Sequence, residues 1–337
     1  MLFIKNLGVS DPYFNLASEE YILETMNESG SIFMLWQNGP SVILGANQNA
    51  YAEINLEYAG SHNIKIAKRL SGGGCVYHDL GNINFSFFEN IGDAGEDGGK
   101  ILNFEYFVLP VVSALKNLGL EADLQGRNDL LLCGAKISGN AQRVYKNRAG
   151  TKKIMHHGTI LFDSDLNRLK EVLNPDKQKI KSGGIKSKHG RVTNIRPHLE
   201  RDMRSGEFMD YLKTYILREK THRIYEFDRS DIKNIELTAE KYASPEFIFG
   251  SKIKYEFTNK KRFGFGTVEL NFDVKDFKMQ NIKIYGDFFG EEDIAGLENS
   301  LNGIFHNAGA VKTALEDKDI DRYIKGCSQK DLLGMII

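Results

Sequence analysis

The sequence is poor in the features of secreted, membrane-spanning or disulfide-built proteins. Only three cysteines occur in 337 residues, Cys75, Cys133 and Cys327, and none forms a CxxC pair, so neither a disulfide framework nor a zinc ribbon is expected and a reducing compartment fits. No window approaches the roughly 20 apolar residues that cross a bilayer. Residues 1–10 hold one lysine and no apolar stretch of signal-peptide length, so no membrane partner is expected and a cytoplasmic address follows by default. Net charge is missing too: 44 Lys and Arg against 45 Asp and Glu leave -1, which gives no global field to draw nucleic acid. The common nucleotide fingerprints are absent. Gly98-Gly99-Lys100 is followed by Ile101 and has Ala94 where a P-loop needs glycine, and the triglycine run at 72–74 lacks the G-x-G-x-x-G spacing.

What is present is an ordinary globular composition on a chain long enough for two cores. Asp11-Pro12 reads as a helix entry, with Phe14, Leu16, Ala17, Tyr21 and Leu23 following at helical spacing. Ile32–Trp36 and Ser41–Leu44 read as the two strands of a hairpin around Gln-Asn-Gly-Pro. Residues 64–68 and 82–88 read as strands flanking the glycine run. Phe104, Phe107, Val108, Val111, Leu115 and Leu118 keep helical offsets as far as Gly119, with Pro110 in the first turn or at a kink. Asp163-Ser164-Asp165 can cap a helix bearing Leu166, Leu169 and Leu173, which Asn174-Pro175 stops, and a polar helical region follows near 206–220. The pattern changes after Ser244. Val268, Leu270, Phe272 and Val274 alternate as in a half-exposed strand, Ile282 and Ile284 suggest its partner, and Ile294, Leu297, Leu301, Ile304 and Phe305 share one helical face. These can form a small separate core, with a boundary near residue 245.

The segment richest in chemistry is Lys68-Arg69-Leu70-Ser71-Gly72-Gly73-Gly74-Cys75-Val76-Tyr77-His78-Asp79. Adjacent glycines let backbone N–H groups approach a ligand without Cβ obstruction, and a nest of that kind beside Arg69 suits phosphate; a tight turn with a solvated arginine is the plainer alternative. Gly126-Arg127-Asn128-Asp129 precedes Lys136, which stands in Gly134-Ala135-Lys136-Ile137-Ser138-Gly139. Leu130, Leu131, Leu132 and Ile137 make that setting apolar, where an ammonium is kept for a phosphate or carboxylate partner, and Asp129 can hold Mg2+ through oxygen. In Met155-His156-His157-Gly158-Thr159 the adjacent histidines point to opposite sides of a strand, a poor pair for one metal. His78 and one of that pair either line a pocket or satisfy hydrogen bonds in the core. Lys177, Lys179, Lys181, Lys186, Lys188, His189 and Arg191 make a lysine-rich loop that is either solvated or attractive to an acidic protein, and it lacks the aromatics of a single-strand binder.

In chain order these segments resemble the lipoate-protein ligase A family over nearly the whole chain. The resemblance rests on Pro12-Tyr13-Phe14-Asn15-Leu16-Ala17, Trp36-Gln37-Asn38, the glycine segment to Asp79, Gly126-Arg127-Asn128-Asp129, the Lys136 motif, His156-His157-Gly158-Thr159, Leu173-Asn174-Pro175-Asp176-Lys177 and Arg191-Val192-Thr193-Asn194. Phe249-Gly250, Gly266-Thr267-Val268-Glu269-Leu270 and Phe272-Asp273-Val274 are similar to the accessory domain of the two-domain members. The resemblance implies an α+β fold. A mixed-sheet catalytic domain over 1–244, like that of biotin ligases and class II aminoacyl-tRNA synthetases, would bind lipoate and ATP, and a small α/β accessory domain would occupy 245–337. It implies ATP-dependent conversion of lipoate to lipoyl-AMP, with Mg2+, and transfer to a lysine of an apo lipoyl domain. The acceptors would be 2-oxoacid dehydrogenase subunits or the glycine-cleavage H protein, and a monomeric enzyme is expected.

Residue by residue, Lys136 becomes the catalytic group. Arg69, Gly74, Cys75, Val76, Tyr77, Asn128, Asp129 and Lys136 are expected to hold the nucleotide, and Asp129 the metal. Leu16, Glu20, Trp36, Arg69, Ser71, His78, Lys136 and His157 are expected to hold lipoate. The chain departs from the family pattern at Lys68, Ala46 and Phe247, where arginine, a basic residue and tryptophan are usual. Two other readings compete: an acyltransferase working through a cysteine thioester, for which only Cys75 and Cys133 are formal candidates, and a non-catalytic protein that senses lipoate.

Overall fold

The computed structural model describes residues 1–91, 99–126, 128–173, 192–250 and 254–337. Arg127, Asn174-Pro175 and the lysine-rich loop to Arg191 lie outside the described residues. The described chain divides into two compact units. The first comprises Met1–Ile43, Tyr51–Ala67 and Val76–Ser244, and the second Pro245–Ile337 together with Leu44–Ala50 and Lys68–Cys75. The main division falls between Ser244 and Pro245, and two earlier segments group with the second unit. Gly286 N–H donates to the Asn47 carbonyl at 2.6 Å and Gly73 N–H to the Phe288 carbonyl at 3.3 Å, and these backbone bonds tie both short segments to the second unit.

The strands run in chain order as β1 (Leu2–Lys5), β2 (Ile32–Trp36), β3 (Ser41–Leu44), β4 (Lys65–Lys68), β5 (Val76–His78), β6 (Asn82–Ile91) and β7 (Ala122–Gln125). They continue as β8 (Asp129–Leu132), β9 (Ala135–Lys146), β10 (Lys152–Leu161), β11 (Arg223–Glu226), β12 (Phe257–Phe263), β13 (Gly266–Lys275) and β14 (Lys278–Gly286). The helices of the first unit are α1 (Pro12–Thr25), α2 (Ala50–Glu53), α3 (Leu56–Ser61), α4 (Phe104–Asn117), α5 (Leu166–Val172), α6 (Ser205–Leu217) and α7 (Arg229–Ala243). Those of the second are α8 (Pro245–Phe249), α9 (Ile294–Leu301), α10 (Ala308–Leu315), α11 (Ile320–Tyr323) and α12 (Gln329–Ile336).

The first unit is built on an eight-stranded mixed sheet in the order β11-β1-β2-β6-β10-β9-β8-β7, parallel at β11, β1 and β2 and antiparallel beyond. Phe33, Phe85, Phe87 and Ile154 project to one face and form the core with Phe107, Val108 and Val111 of α4 and Phe208 and Leu212 of α6. Side chains at the alternate positions face α1, where Ser86 reaches Glu19. One sheet thus carries an apolar face and a mixed one, where Asn84, Ser86 and His157 stand among Met34, Trp36, Phe88 and Met155.

Four sequence expectations need correction. Ile32–Trp36 and Ser41–Leu44 are strands but not a hairpin: β2 lies between β1 and β6, while β3 belongs to a separate three-stranded sheet, β4-β3-β5. Both edges of β2 are occupied, and the intervening Asn38 is fully buried against Asn15 and His78, which turns the chain away before β3. β13 is not half exposed, since Thr267, Asn271 and Asp273 are buried along with Val268, Leu270 and Phe272; Pro110, read as lying in the first turn of α4 or at a kink, stands past that turn inside the helix. Ile304 and Phe305 fall beyond α9, with Phe305 bridged to Lys278.

In the second unit, Val268, Leu270 and Phe272 of β13 and Ile282 and Ile284 of β14 pack on Leu297 and Leu301 of α9 and on α10 and α12. Lys275 pairs with Lys278 across a two-residue loop in which Asp276 and Phe277 have φ of 51° and 61°. That hairpin turn favours glycine, yet it holds a phenylalanine that is 81% exposed. Phe277→Gly is therefore expected to raise stability by about 1 kcal/mol, read as a higher urea midpoint. No helix among the described residues is long and apolar enough to cross a membrane.

Candidate functional site

Strands β8 and β9 are joined by Cys133 and Gly134, both at positive φ, and this tight turn brings Lys136 back beside Asp129. The Lys136 ammonium lies 2.7 Å from Asp129 Oδ1, and both side chains are about a third exposed, at 35% and 37%. Gly139 pairs with Asp129, and a Cβ at Gly139 would lie 3.2 Å from Lys136 Nζ. Glycine leaves the room that the ammonium uses. The Lys136 carbonyl accepts from Thr193 N–H at 3.0 Å, which fixes the strand from its other edge. Asn128 and Asn140 brace the same corner, each donating its amide to the other's carbonyl at 2.7 and 3.0 Å. The partner expected for a lysine in apolar surroundings is thus a carboxylate, at a solvent-accessible edge where an incoming anion can compete for it.

Deeper on the same face runs a buried polar chain. Trp36 Nε1 donates to Ser86 Oγ at 2.9 Å, Ser86 donates to Glu19 Oε1 at 2.6 Å, and His157 Nδ1 lies 2.9 Å from the same carboxylate. His78 meets Asn38 at 3.1 Å, and its ring stands edge-on to Trp36 at 6.2 Å between centroids. Leu16 is buried on α1. Glu20, expected at the lipoate site, turns instead to Lys241 at 2.6 Å, because successive residues of a helix point about 100° apart. Glu19 and Ser86, which the sequence reading did not single out, complete this buried chain. The available signal was Asn82, Asn84 and Ser86, polar residues alternating with Ile83, Phe85 and Phe87 along β6.

His156 takes the opposite side of β10, as expected of adjacent strand residues, and stacks on Phe107 at 5.0 Å. Burial, with a smaller contribution from neighbouring His157, holds its pKa well below the usual histidine value. The folded protein therefore keeps His156 neutral where the unfolded chain protonates. Its contribution is fully present above about pH 6.5 and is lost on acidification, by up to about 1.4 kcal/mol per pH unit. Urea unfolding at pH 7 and pH 5 checks this; His156→Phe should flatten the pH dependence.

The glycine segment from Lys68 to Cys75 belongs to the second unit. Arg69 donates from Nε to Ser71 Oγ at 3.0 Å and from Nη2 to the carbonyls of Gly72 and Gly74 at 2.7 and 2.9 Å. Gly73, at φ +90°, gives its N–H to Phe288, so the run does not present three open amides. At Gly74 a Cβ would meet nothing within 4 Å. Val76 and Tyr77 lie in β5, opposite Ile43 and Val42, which commits part of their backbone to the sheet. Burial, reinforced by Lys283, lowers the Lys68 pKa to about 8.

Among the described residues no group of three or more His, Cys, Asp or Glu side chains could hold a metal ion. Asp129 offers a single carboxylate, which suits a Mg2+ held mainly by substrate phosphates and water rather than a protein-only cage.

Residues 11–217 match the model of the lipoyl protein ligase A/B catalytic domain, and residues 252–336 that of the bacterial lipoate protein ligase C-terminus. The chain is 40% identical to Lipoate-protein ligase 1 of Staphylococcus aureus, covering 100% of both, and 38% identical to the Bacillus subtilis lipoate-protein ligase, again over 100% of both. Plasmodium falciparum LipL1, solved with lipoate, shares the fold with a TM-score of 0.76 at 23% identity, over 99% of this chain and 97% of that one. A lipoate-protein ligase A structure bound with ATP gives a TM-score of 0.58 at 25% identity, over 73% of this chain and 98% of that one.

Proposed function

The chain belongs to the lipoate-protein ligase family, and from that premise we propose that it activates lipoate with ATP and joins it to a lysine of an acceptor protein. The observation that carries the reading is Lys136, an ammonium held by one exchangeable carboxylate beside a glycine that leaves space for it. A carboxylate does not acylate an amine directly, because its leaving group is too basic. Lipoate attacks the α-phosphorus of ATP instead, pyrophosphate leaves, and lipoyl-AMP forms. Lys136 exchanges Asp129 for the two anionic reactants, offsets their repulsion, and then stabilises charge on the acyl carbonyl oxygen while the acceptor amine displaces AMP.

Arg69 and the backbone at Gly74, Cys75, Val76 and Tyr77 are assigned to the nucleotide, with Asn128 and Asp129 positioning the adenylate. Asp129 would hold Mg2+, which neutralises phosphate charge when bound. Leu16, Trp36, Arg69, Ser71, His78, Lys136 and His157 are assigned to lipoate, and of the two adjacent carboxylates Glu19 faces Ser86 and His157 while Glu20 faces Lys241. Residues 1–244 carry the catalysis, the Lys68–Cys75 segment included, and residues 245–337 are accessory. Acceptors are apo lipoyl domains of 2-oxoacid dehydrogenases or the glycine-cleavage H protein; the archaeal ligase solved with its E2 lipoyl domain, 26% identical over 76% of this chain and 98% of that one with a TM-score of 0.60, supports that class. The test incubates the protein with lipoate, Mg-ATP and an apo lipoyl domain, and follows pyrophosphate and acceptor mass. The expected result is stoichiometric pyrophosphate and an acceptor heavier by one lipoyl group; neither signal appearing would refute the proposal.

A further inference from the structure

Asn82 and Asn84 of β6 stand on the mixed face of the sheet, 0% and 2% exposed. Asn82 Nδ2 donates to Asn84 Oδ1 at 2.9 Å, which orients the Asn84 amide. Asn84 Nδ2 is nevertheless left with no hydrogen-bond partner among the described residues. A desolvated donor of this kind is a standing cost that a ligand oxygen would remove.

Its place in the sheet says what that oxygen belongs to. Asn84 pairs with Trp36 on one side and Thr159 on the other. Thr159 Oγ1 accepts from Gly139 N–H at 3.2 Å, and Gly139 faces Asp129 and the Lys136 ammonium. Trp36, Asn84, Thr159, Gly139 and Asp129 therefore form one row across β2, β6, β10, β9 and β8. Adjacent strands lie about 4.8 Å apart, so two strand spacings separate Asn84 from Gly139. A carboxyl group with a hydrogen bond of about 2.9 Å at each end bridges most of that span. The acid's chain is apolar and its sulfurs are weak acceptors, which leaves its carboxyl oxygens as the strong acceptors for a buried N–H.

The geometry points to Asn84 as a second substrate-binding donor, which holds a carboxyl oxygen of the acyl acid opposite Lys136 and the carbonyl oxygen after adenylation. The inference rests on the lipoate-ligase reading above. The experiment first measures lipoate binding and lipoate-dependent ATP–pyrophosphate exchange in the unaltered protein; failure there refutes that reading and leaves Asn84 no substrate. With the parent active, Asn84→Ala should raise Kd and KM for lipoate by about 10- to 100-fold with the KM for ATP unchanged, and Asn84→Ser, which keeps a donor, should recover much of the loss. Asn84→Asp sets a carboxylate against the acid, so it should bind lipoate still more weakly but shift preference toward neutral lipoamide, whose NH2 it can accept. Equal loss for lipoate and lipoamide in Asn84→Asp would mark a merely structural residue and overturn the inference. So would an Asn84→Ala KM for lipoate within twofold of the parent. Should the aspartate variant not fold, the alanine and serine pair decides alone: a serine variant no better than alanine counts against the role.

Discussion

Lys136→Ala is expected to lower lipoate-dependent pyrophosphate release and acceptor lipoylation by about 10³-fold, the scale seen when one preorganised donor to a developing oxyanion is removed. The fold should hardly notice. Its ion pair with Asp129 has both side chains about a third exposed, at 35% and 37%, and a pair of that kind contributes at most about 1 kcal/mol. A Tm within a few degrees of the parent, together with a collapsed rate, is the signature to look for. Lys136→Arg should recover little, because Gly139 makes room for a compact ammonium and a planar guanidinium places its donors elsewhere. More than a tenth of parental activity in the alanine variant would remove Lys136 from the mechanism.

Glu19→Ala should be the most destabilising single change on the mixed face. Glu19 is 2% exposed and accepts from both Ser86 and His157, so its loss strands two buried groups at a cost of about 3 kcal/mol. That corresponds to a Tm lowered by roughly 6 to 12 °C for a unit of this size. The neighbouring Glu20→Ala is the built-in control: it breaks a pair with Lys241 that is itself 41% exposed, worth about 1 kcal/mol or less. Equal loss from the two variants would contradict the assignment of Glu19 to the buried chain. Ser86→Ala combined with Glu19→Ala should fall short of additivity, since the two side chains share one bond.

The reach of the sequence differs from residue to residue. Helical offsets marked α1 and α4, and alternation marked β13, because the spacing of apolar residues is a local property; how many faces are buried is not, and α1 buries every residue from Phe14 to Glu19 while β13 buries Thr267, Asn271 and Asp273 as well as Val268, Leu270 and Phe272. The same reasoning joined β2 to β3, since turn residues say that the chain reverses but not which strand receives the freed edge. The family resemblance placed Glu20 at the acyl site, and nothing local separates the two adjacent glutamates, which differ in what lies across from them: Ser86 and His157 for Glu19, Lys241 for Glu20. His156 and His157 were legible as opposite-facing. Which one met a carboxylate was not, because the partner stands 138 residues away.

Sequence alone thus determined the chemistry: an ordered set of short motifs names side chains whose reactivity is intrinsic, above all a lysine among glycines and a glycine run beside an arginine. Tertiary structure alone decided which of those groups already have partners and which unit holds them, with Arg69 and its glycines joining the second unit through the bonds from Gly73 to Phe288 and from Gly286 to Asn47. The physical reason is range. Reactivity and helical or strand periodicity are set within a few residues, whereas hydrogen-bond satisfaction in a core is settled between segments that the chain brings together only by folding.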